Sequence, residues 1–316
     1  MKALVFSGGG SKIAFEAGVA VELLGASGQP YDVVCGVSTG ALAASMIAQA
    51  GTGLWQHALA LRLRDVVLGL RGNGDIFKSG PIPYLSDALR LVRTGGLYDP
   101  APLRRIVEKV IDLEALRRSN TVLRIGMVNL NSGAYLTCGT ERGMPAEPKM
   151  LLPVTHDFIM ASCAVPGVFP PVRLFRSGAL LVDGGVRNIT PLSDCFEALR
   201  ELGAHALGKP VQVDVVMASP LSYNAEPLGG VGPEKVLPRA LSILSNEVYR
   251  SDLAEALRRN SQDPKAVPCE LRVFAPDSVE QDTLEFDPKK MRDLYNAGLE
   301  AARRPLTEAE LYERLR

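Results

Sequence analysis

Three short stretches carry residue types that suit acyl transfer. In Val33-Val34-Cys35-Gly36-Val37-Ser38-Thr39-Gly40-Ala41-Leu42 an apolar run ends in G-x-S-x-G and passes into a small-residue helical pattern. A strand, a sharp turn and a helix in that order expose a serine hydroxyl at the tip, and Gly36 and Gly40 leave room for helix and strand to approach each other. Ser38 is therefore a candidate nucleophile, with an ordinary helix N-cap as the plainer reading. Upstream, Ser7-Gly8-Gly9-Gly10-Ser11-Lys12 follows the apolar run Ala3-Leu4-Val5-Phe6 and precedes Phe15, Val19, Leu23 and Leu24 at helical spacing. Gly8, Gly9 and Gly10 can present backbone N–H groups free of Cβ interference at a helix N-terminus, which suits a phosphate or a developing oxyanion equally well. As a phosphate loop it fits poorly, because G-x-x-x-x-G-K-[ST] is absent and Ile13 stands where G-x-G-x-x-G needs its third glycine. Downstream, Ala179-Leu180-Leu181-Val182 delivers Asp183-Gly184-Gly185. A carboxylate there faces the cleft at the strand ends where α/β folds bind ligands, or simply makes an Asp-Gly turn.

These parts would make a serine hydrolase. A serine hydroxyl is a poor nucleophile until a base takes its proton, and the tetrahedral intermediate needs N–H donors aimed at its oxyanion. An aspartate of ordinary pKa, about 4, is a weak base. Asp183 must therefore be desolvated to serve, and the apolar strand before it fits that need. The rival arrangement is a Ser-His-Asp triad using His205, the histidine that follows Asp183 in the chain, although Gly203-Ala204-His205-Ala206-Leu207-Gly208 reads as a surface loop. His57 and His156 read as packing or solvated groups.

The elements that must position these residues follow the periodicity. Ala41 to Ala50 reads as a helix, Leu54 to Leu70 as an amphipathic helix, and Pro83 to Arg93 and Pro102 to Ile111 as two more. This helical block, 54–118, is open to two readings, a cap over the site or plain packing on the sheet. Thr121 to Asn129 and Ala134 to Cys138 read as strands joined by a tight turn. Leu151 to Ala164 reads as a helix running into the proline-rich loop that ends at Pro171. Pro191 to Leu202 is expected to be a helix, Val211 to Met217 a strand, Ser219 to Gly232 a surface loop, Pro233 to Asn260 a long helix, Cys269 to Phe274 a strand, and Lys289 to Arg316 two charged helices.

Composition narrows the function classes. The 316 residues hold 35 Lys plus Arg against 35 Asp plus Glu, so no global field favours nucleic acid, and an aromatic content of 6% leaves little for base stacking. Apolar runs fall short of the roughly 20 residues a membrane span needs, and Met1 to Phe6 reads as a strand, not a signal sequence. Five scattered cysteines without a C-x-x-C pair suit reduced thiols in a cytoplasm and suggest neither a zinc site nor a disulfide framework.

Taken together, Gly8-Gly9-Gly10-Ser11-Lys12, Gly36-Val37-Ser38-Thr39-Gly40 and Asp183-Gly184-Gly185 resemble, in order and separation, the patatin-like phospholipases. Phe15, Gly18-Val19, Leu97-Tyr98-Asp99-Pro100, Ala161 to Pro171 and Asn188-Ile189-Thr190-Pro191 extend the resemblance over roughly Ala3 to Ser219. It implies a three-layer α/β fold and a Ser-Asp dyad acting on lipid acyl esters without metal or cofactor. By position, Ser38 would be the nucleophile, Asp183 its base, and the N–H groups of Gly8, Gly9 and Gly10 the oxyanion hole. Lys12 falls where the family has arginine or lysine, and Ile13 departs from its usual glycine. The expectation is one hydrolase domain over 1–316, with the motif core at 3–219 and a helical extension at 233–316. It would be cytoplasmic, would meet membranes or micelles transiently as a phospholipase A or lysophospholipase, and would have no nucleic-acid partner. The alternative from another class is a non-catalytic lipid- or membrane-binding protein on the same fold.

Overall fold

A computed structural model describes residues 1–79, 85–140, 151–175, 177–221, 232–262, 267–277 and 282–315. The chain runs β1 (Lys2–Phe6), α1 (Ile13–Ser27), β2 (Val33–Val37), α2 (Thr39–Ile47), α3 (Gly53–Leu68), α4 (Leu85–Thr94), α5 (Ala101–Val110), α6 (Leu113–Arg118), β3 (Val122–Asn129) and β4 (Tyr135–Gly139). It continues as β5 (Leu152–Pro153), α7 (His156–Ser162), β6 (Val172–Arg173), β7 (Leu180–Asp183), α8 (Leu192–Glu201), β8 (Val211–Val216), α9 (Pro233–Gln262), β9 (Cys269–Phe274), α10 (Pro288–Ala301) and α11 (Glu308–Leu315).

One sheet in the order β5-β4-β3-β2-β1-β8-β9 forms the middle layer. The strands from β3 to β9 along this order are parallel, and β4 is antiparallel to β3. Alternation along β1 divides the core: Leu4 and Phe6 join a cluster with α1, α2, α3 and α10, while Ala3 and Val5 join another with α8, α9 and Leu311 of α11. The sheet is thus buried on both faces, which is why its strands read as continuous apolar runs. The protein is an α/β fold with a central sheet flanked by helices.

Two stretches depart from the reading of the sequence. Leu151 to Ala164 is not one helix, because Leu152–Pro153 pairs with Cys138–Gly139 and α7 begins at His156. Pro153 biases Leu152 toward extended backbone, and the Thr155 hydroxyl caps α7 by accepting the Phe158 N–H at 3.2 Å. Helix α6 went unread; Asp112 starts it by accepting the N–H groups of Glu114 and Ala115. Within the helical block, α3 packs on α1, α2 and α10, and α5 on α7. The expected start of a helix at Pro83, and most of the expected loop from Ser219 to Gly232, lie outside the described residues.

Helix α1 buries Glu16 completely, and neither carboxylate oxygen has a partner among the described residues. Burial pushes its pKa well above the ordinary value of 4.5. The folded state then holds this proton more tightly than the unfolded state does. Its contribution to stability is full below 4.5 and is lost as pH rises toward the folded value, at up to about 1.4 kcal/mol per pH unit. Glu16→Gln cannot ionise, so its melting temperature relative to wild type should rise as pH climbs above 4.5. A difference independent of pH would show that Glu16 is not ionising at a cost.

Candidate active site

The turn after β2 has the strain that exposes a nucleophile. Ser38 has φ 57° and ψ −132°, and among the described residues it is the one non-glycine with positive φ. Its backbone is held on both sides. The N–H donates to the Ser162 hydroxyl at 3.0 Å, which in turn donates to the Gly126 carbonyl at 2.7 Å. The Ser38 carbonyl accepts the Ala41 N–H at 2.9 Å and the Cys163 thiol, which burial keeps protonated, at 3.1 Å. Gly36 and Gly40 are required by close approach, since a Cβ on Gly36 would lie 2.2 Å from the Gly40 carbonyl oxygen and one on Gly40 would lie 2.3 Å from that of Ser7.

Sheet register brings Asp183 to this turn. Strand β2 runs parallel to β3 and ends where Val37 pairs with Gly126. Strand β7 runs antiparallel along the same edge of β3 and ends where Asp183 pairs with Met127, the next residue. The two strands therefore meet C-terminus to C-terminus, with β4 on the other edge of β3. Ser38 follows one end and Asp183 closes the other. Gly184 permits the junction, because a Cβ there would lie 2.6 Å from the Gly126 carbonyl oxygen.

The Asp183 carboxylate is 4% exposed. Its Oδ1 accepts the Gly185 N–H at 2.8 Å, and its Oδ2 has no hydrogen-bond partner among the described residues. Burial pushes its pKa up to about 6, against the opposing pull of the Ser38 hydroxyl and the Gly185 N–H. The Ser38 hydroxyl stands near enough to favour the carboxylate without closing a hydrogen bond of full geometry. Apo sites commonly show such a loose pair.

The glycine loop lies against the same point. A Cβ on Gly8 would be 2.9 Å from that of Ser38. The three glycine N–H groups are not equivalent: Gly8 donates to the Ile189 carbonyl at 3.0 Å, while those of Gly9 and Gly10 have no partner among the described residues. Gly10 has φ +60°, a conformation that favours glycine. The Gly8 carbonyl accepts the Tyr249 hydroxyl. Lys12 donates its Nζ to the Ser219 hydroxyl at 3.0 Å; burial lowers its pKa, with Asp282 opposing.

Other residues singled out in the sequence do not converge here. His205 lies exposed on the turn before β8, and because β8, β1 and β2 are parallel, that is the opposite end of the sheet from Ser38. The structure thus does not assemble a Ser38-Asp183-His205 triad. His57 faces Gly25 of α1, and His156 Nε2 bonds the Ile111 carbonyl at 3.0 Å. All five cysteines are free and buried. Among the described residues no group of three His, Cys, Asp or Glu side chains is placed to hold a metal ion. Ser162, Tyr249 and Asp252 hold the site together but escaped the sequence reading. Ser162 is a polar residue in an otherwise small and apolar run, the one local signal available.

The chain is similar to several known proteins. The uncharacterized protein YjjU of Escherichia coli (strain K12) is 30% identical over 203 residues, 61% of this chain and 47% of that protein. The chain spans about half the length of that curated relative. Among solved structures, VipD from Legionella pneumophila aligns with 99% of this chain and 67% of its own at 12% identity and a TM-score of 0.43. The type III effector protein ExoU aligns with 99% and 53% at 13% identity and a TM-score of 0.34. The family model described as patatin-like phospholipase matches residues 4–196, a span that contains the glycine loop, the Ser38 turn and Asp183. With that match over more than half its length, the chain belongs to the patatin-like phospholipase family.

Proposed function

We propose that the protein is a serine lipid acyl hydrolase of phospholipase A or lysophospholipase type, with Ser38 as nucleophile and Asp183 as base. The observation that carries this reading is the meeting of β2 and β7 on one edge of β3, which leaves the unpartnered Asp183 Oδ2 beside the Ser38 turn. Ser38 Oγ attacks the ester carbonyl carbon as its proton passes to Asp183. The Gly9 and Gly10 N–H groups receive the oxyanion. Collapse breaks the bond to the alcohol, which leaves with the proton from Asp183. Water then attacks the acyl-Ser38 ester with Asp183 again as base, releasing the fatty acid and restoring the hydroxyl.

A lipid surface is the natural source of substrate. Phe175 is fully exposed between β6 and β7, and Val186 is exposed three residues after Asp183, so apolar side chains rim the element that carries the base. Among the described residues no helix is long and apolar enough to cross a membrane. The proposal is a single hydrolase domain that touches membranes or micelles reversibly, with the cytoplasm as its place of work resting on the five cysteines, all free and buried.

The test is hydrolysis of phospholipid and lysophospholipid vesicles together with fluorophosphonate labelling. Wild type should release fatty acid and take one label, at Ser38. Because Asp183 must be charged to act, kcat/KM should fall as a single proton is taken up below an inflection near 6 and level off above about pH 7. Asp252, which burial pushes up to about 7, titrates in the same range. An Asp252→Asn variant should keep the inflection, since its amide oxygen can still accept the same N–H groups. A folded wild type that binds vesicles but takes no label and turns over no ester would favour the lipid-binding alternative.

A further inference from the structure

We propose that Tyr249 of α9 is a positioning residue that fixes the glycine loop by the Gly8 carbonyl and so aims the Gly9 N–H at the oxyanion. The proposal rests on the hydrolase reading above. Three consecutive glycines are the most flexible backbone a chain can offer, yet an oxyanion hole works by being held in place before the charge develops. Something outside the loop must hold it. The C=O of Gly8 and the N–H of Gly9 belong to one planar peptide unit and point in opposite directions. A donor on the carbonyl therefore sets the direction of the N–H. From outside the loop that donor is the Tyr249 hydroxyl, on a residue 3% exposed, while the Ser7 hydroxyl of the loop's own entry makes a longer contact of 3.5 Å with the same carbonyl. Among the described residues the N–H that Tyr249 orients has no partner, and a Cβ on the adjoining Gly8 would lie 2.9 Å from that of Ser38.

The same helix face holds the other side of Gly8. Asp252, three residues on from Tyr249, accepts the N–H groups of Ile189 at 3.0 Å and Thr190 at 2.9 Å, and the Ile189 carbonyl accepts the Gly8 N–H. Behind the loop, the Ser7 hydroxyl accepts the Ala218 N–H at 2.8 Å and Ser219 accepts Lys12 Nζ at 3.0 Å. Both hydroxyls stand beside that of Tyr249 and oppose the rise that burial imposes on its pKa. Tyr249 and Asp252 lie beyond residues 4–196, outside the span that the family model matches.

Tyr249→Phe in the full chain tests this, assayed on a carboxylic ester and on the matching thionoester, whose sulfur fits an oxyanion hole poorly. The variant should lose about 10- to 100-fold in kcat on the ester with KM within about twofold, and its ester-to-thionoester rate ratio should fall toward that of the uncatalysed reaction. A merely structural loss would lower both rates together. If the variant does not fold, Ser219→Ala, which removes one hydroxyl beside Tyr249, should shift the same ratio in the same direction by about threefold. A folded Tyr249→Phe with wild-type kcat and ratio overturns the positioning role and leaves the hydrolase reading standing. A wild type inert to esters and to fluorophosphonate overturns both.

Discussion

Ser38→Ala is expected to lower ester turnover by at least about a thousandfold and to abolish fluorophosphonate labelling, while the protein stays folded. The fold should tolerate the change because the turn is held by the Ser38 backbone, whose N–H and carbonyl make the bonds to Ser162, Cys163 and Ala41, while its hydroxyl only favours the Asp183 carboxylate. The turn stores strain that alanine keeps and glycine releases, since only glycine adopts φ 57° with ψ −132° at little cost. Ser38→Gly should therefore be more stable than Ser38→Ala by about 1–2 kcal/mol, measured by denaturant unfolding. Both should be inactive. The paired comparison separates the hydroxyl, which does the chemistry, from the backbone, which presents it. Turnover surviving in Ser38→Ala would remove Ser38 as the nucleophile.

What was legible in the sequence follows the range of the interactions involved. The strand-turn-helix around Ser38 and the Asp183-Gly184-Gly185 stop are local, written in an apolar run, small residues and glycines within a dozen positions, and both appear where expected. That they meet is not local. It depends on β2 and β7 sharing one edge of β3, a register set by residues nearly 150 positions apart. That the Gly8 N–H is already taken, unlike those of Gly9 and Gly10, was hidden for the same reason, because the carbonyl that occupies it belongs to Ile189. Tyr249 reads in the sequence as one more buried position beside Leu253, Ala256 and Leu257, at helical spacing, and nothing in that stripe distinguishes a hydroxyl with a task. Where local propensity did mislead, at Leu151 to Val154, the run was too short and apolar to separate strand from helix, and the pairing with β4 decided it.

Asp183→Asn should separate stability from activity in a way that few buried substitutions do. The asparagine oxygen can still accept the Gly185 N–H, so the turn into Gly184 survives, but an amide cannot take the Ser38 proton. Turnover should fall about 10³- to 10⁴-fold, with the pH inflection near 6 gone from whatever rate remains. Stability should move the other way. Burial raises the Asp183 pKa from 3.8 to about 6, so the folded state holds this proton more tightly than the unfolded state. That contribution is complete below 3.8 and is lost between 3.8 and about 6, by roughly 3 kcal/mol at most. The asparagine variant has no such loss. Its stability relative to wild type should therefore climb through this window and stay level above about pH 7, offset by a constant amount for its unpaired amide. Unfolding curves at pH 4, 5, 6 and 7.5 read this directly. A gap that does not change with pH would mean that Asp183 ionises as readily in the folded chain as in the unfolded one, and an aspartate so easily charged is too weak a base to take the serine proton. Dead and pH-selectively stabilised is the outcome that a buried base predicts, because the desolvation that makes the carboxylate basic is the same desolvation that costs the fold.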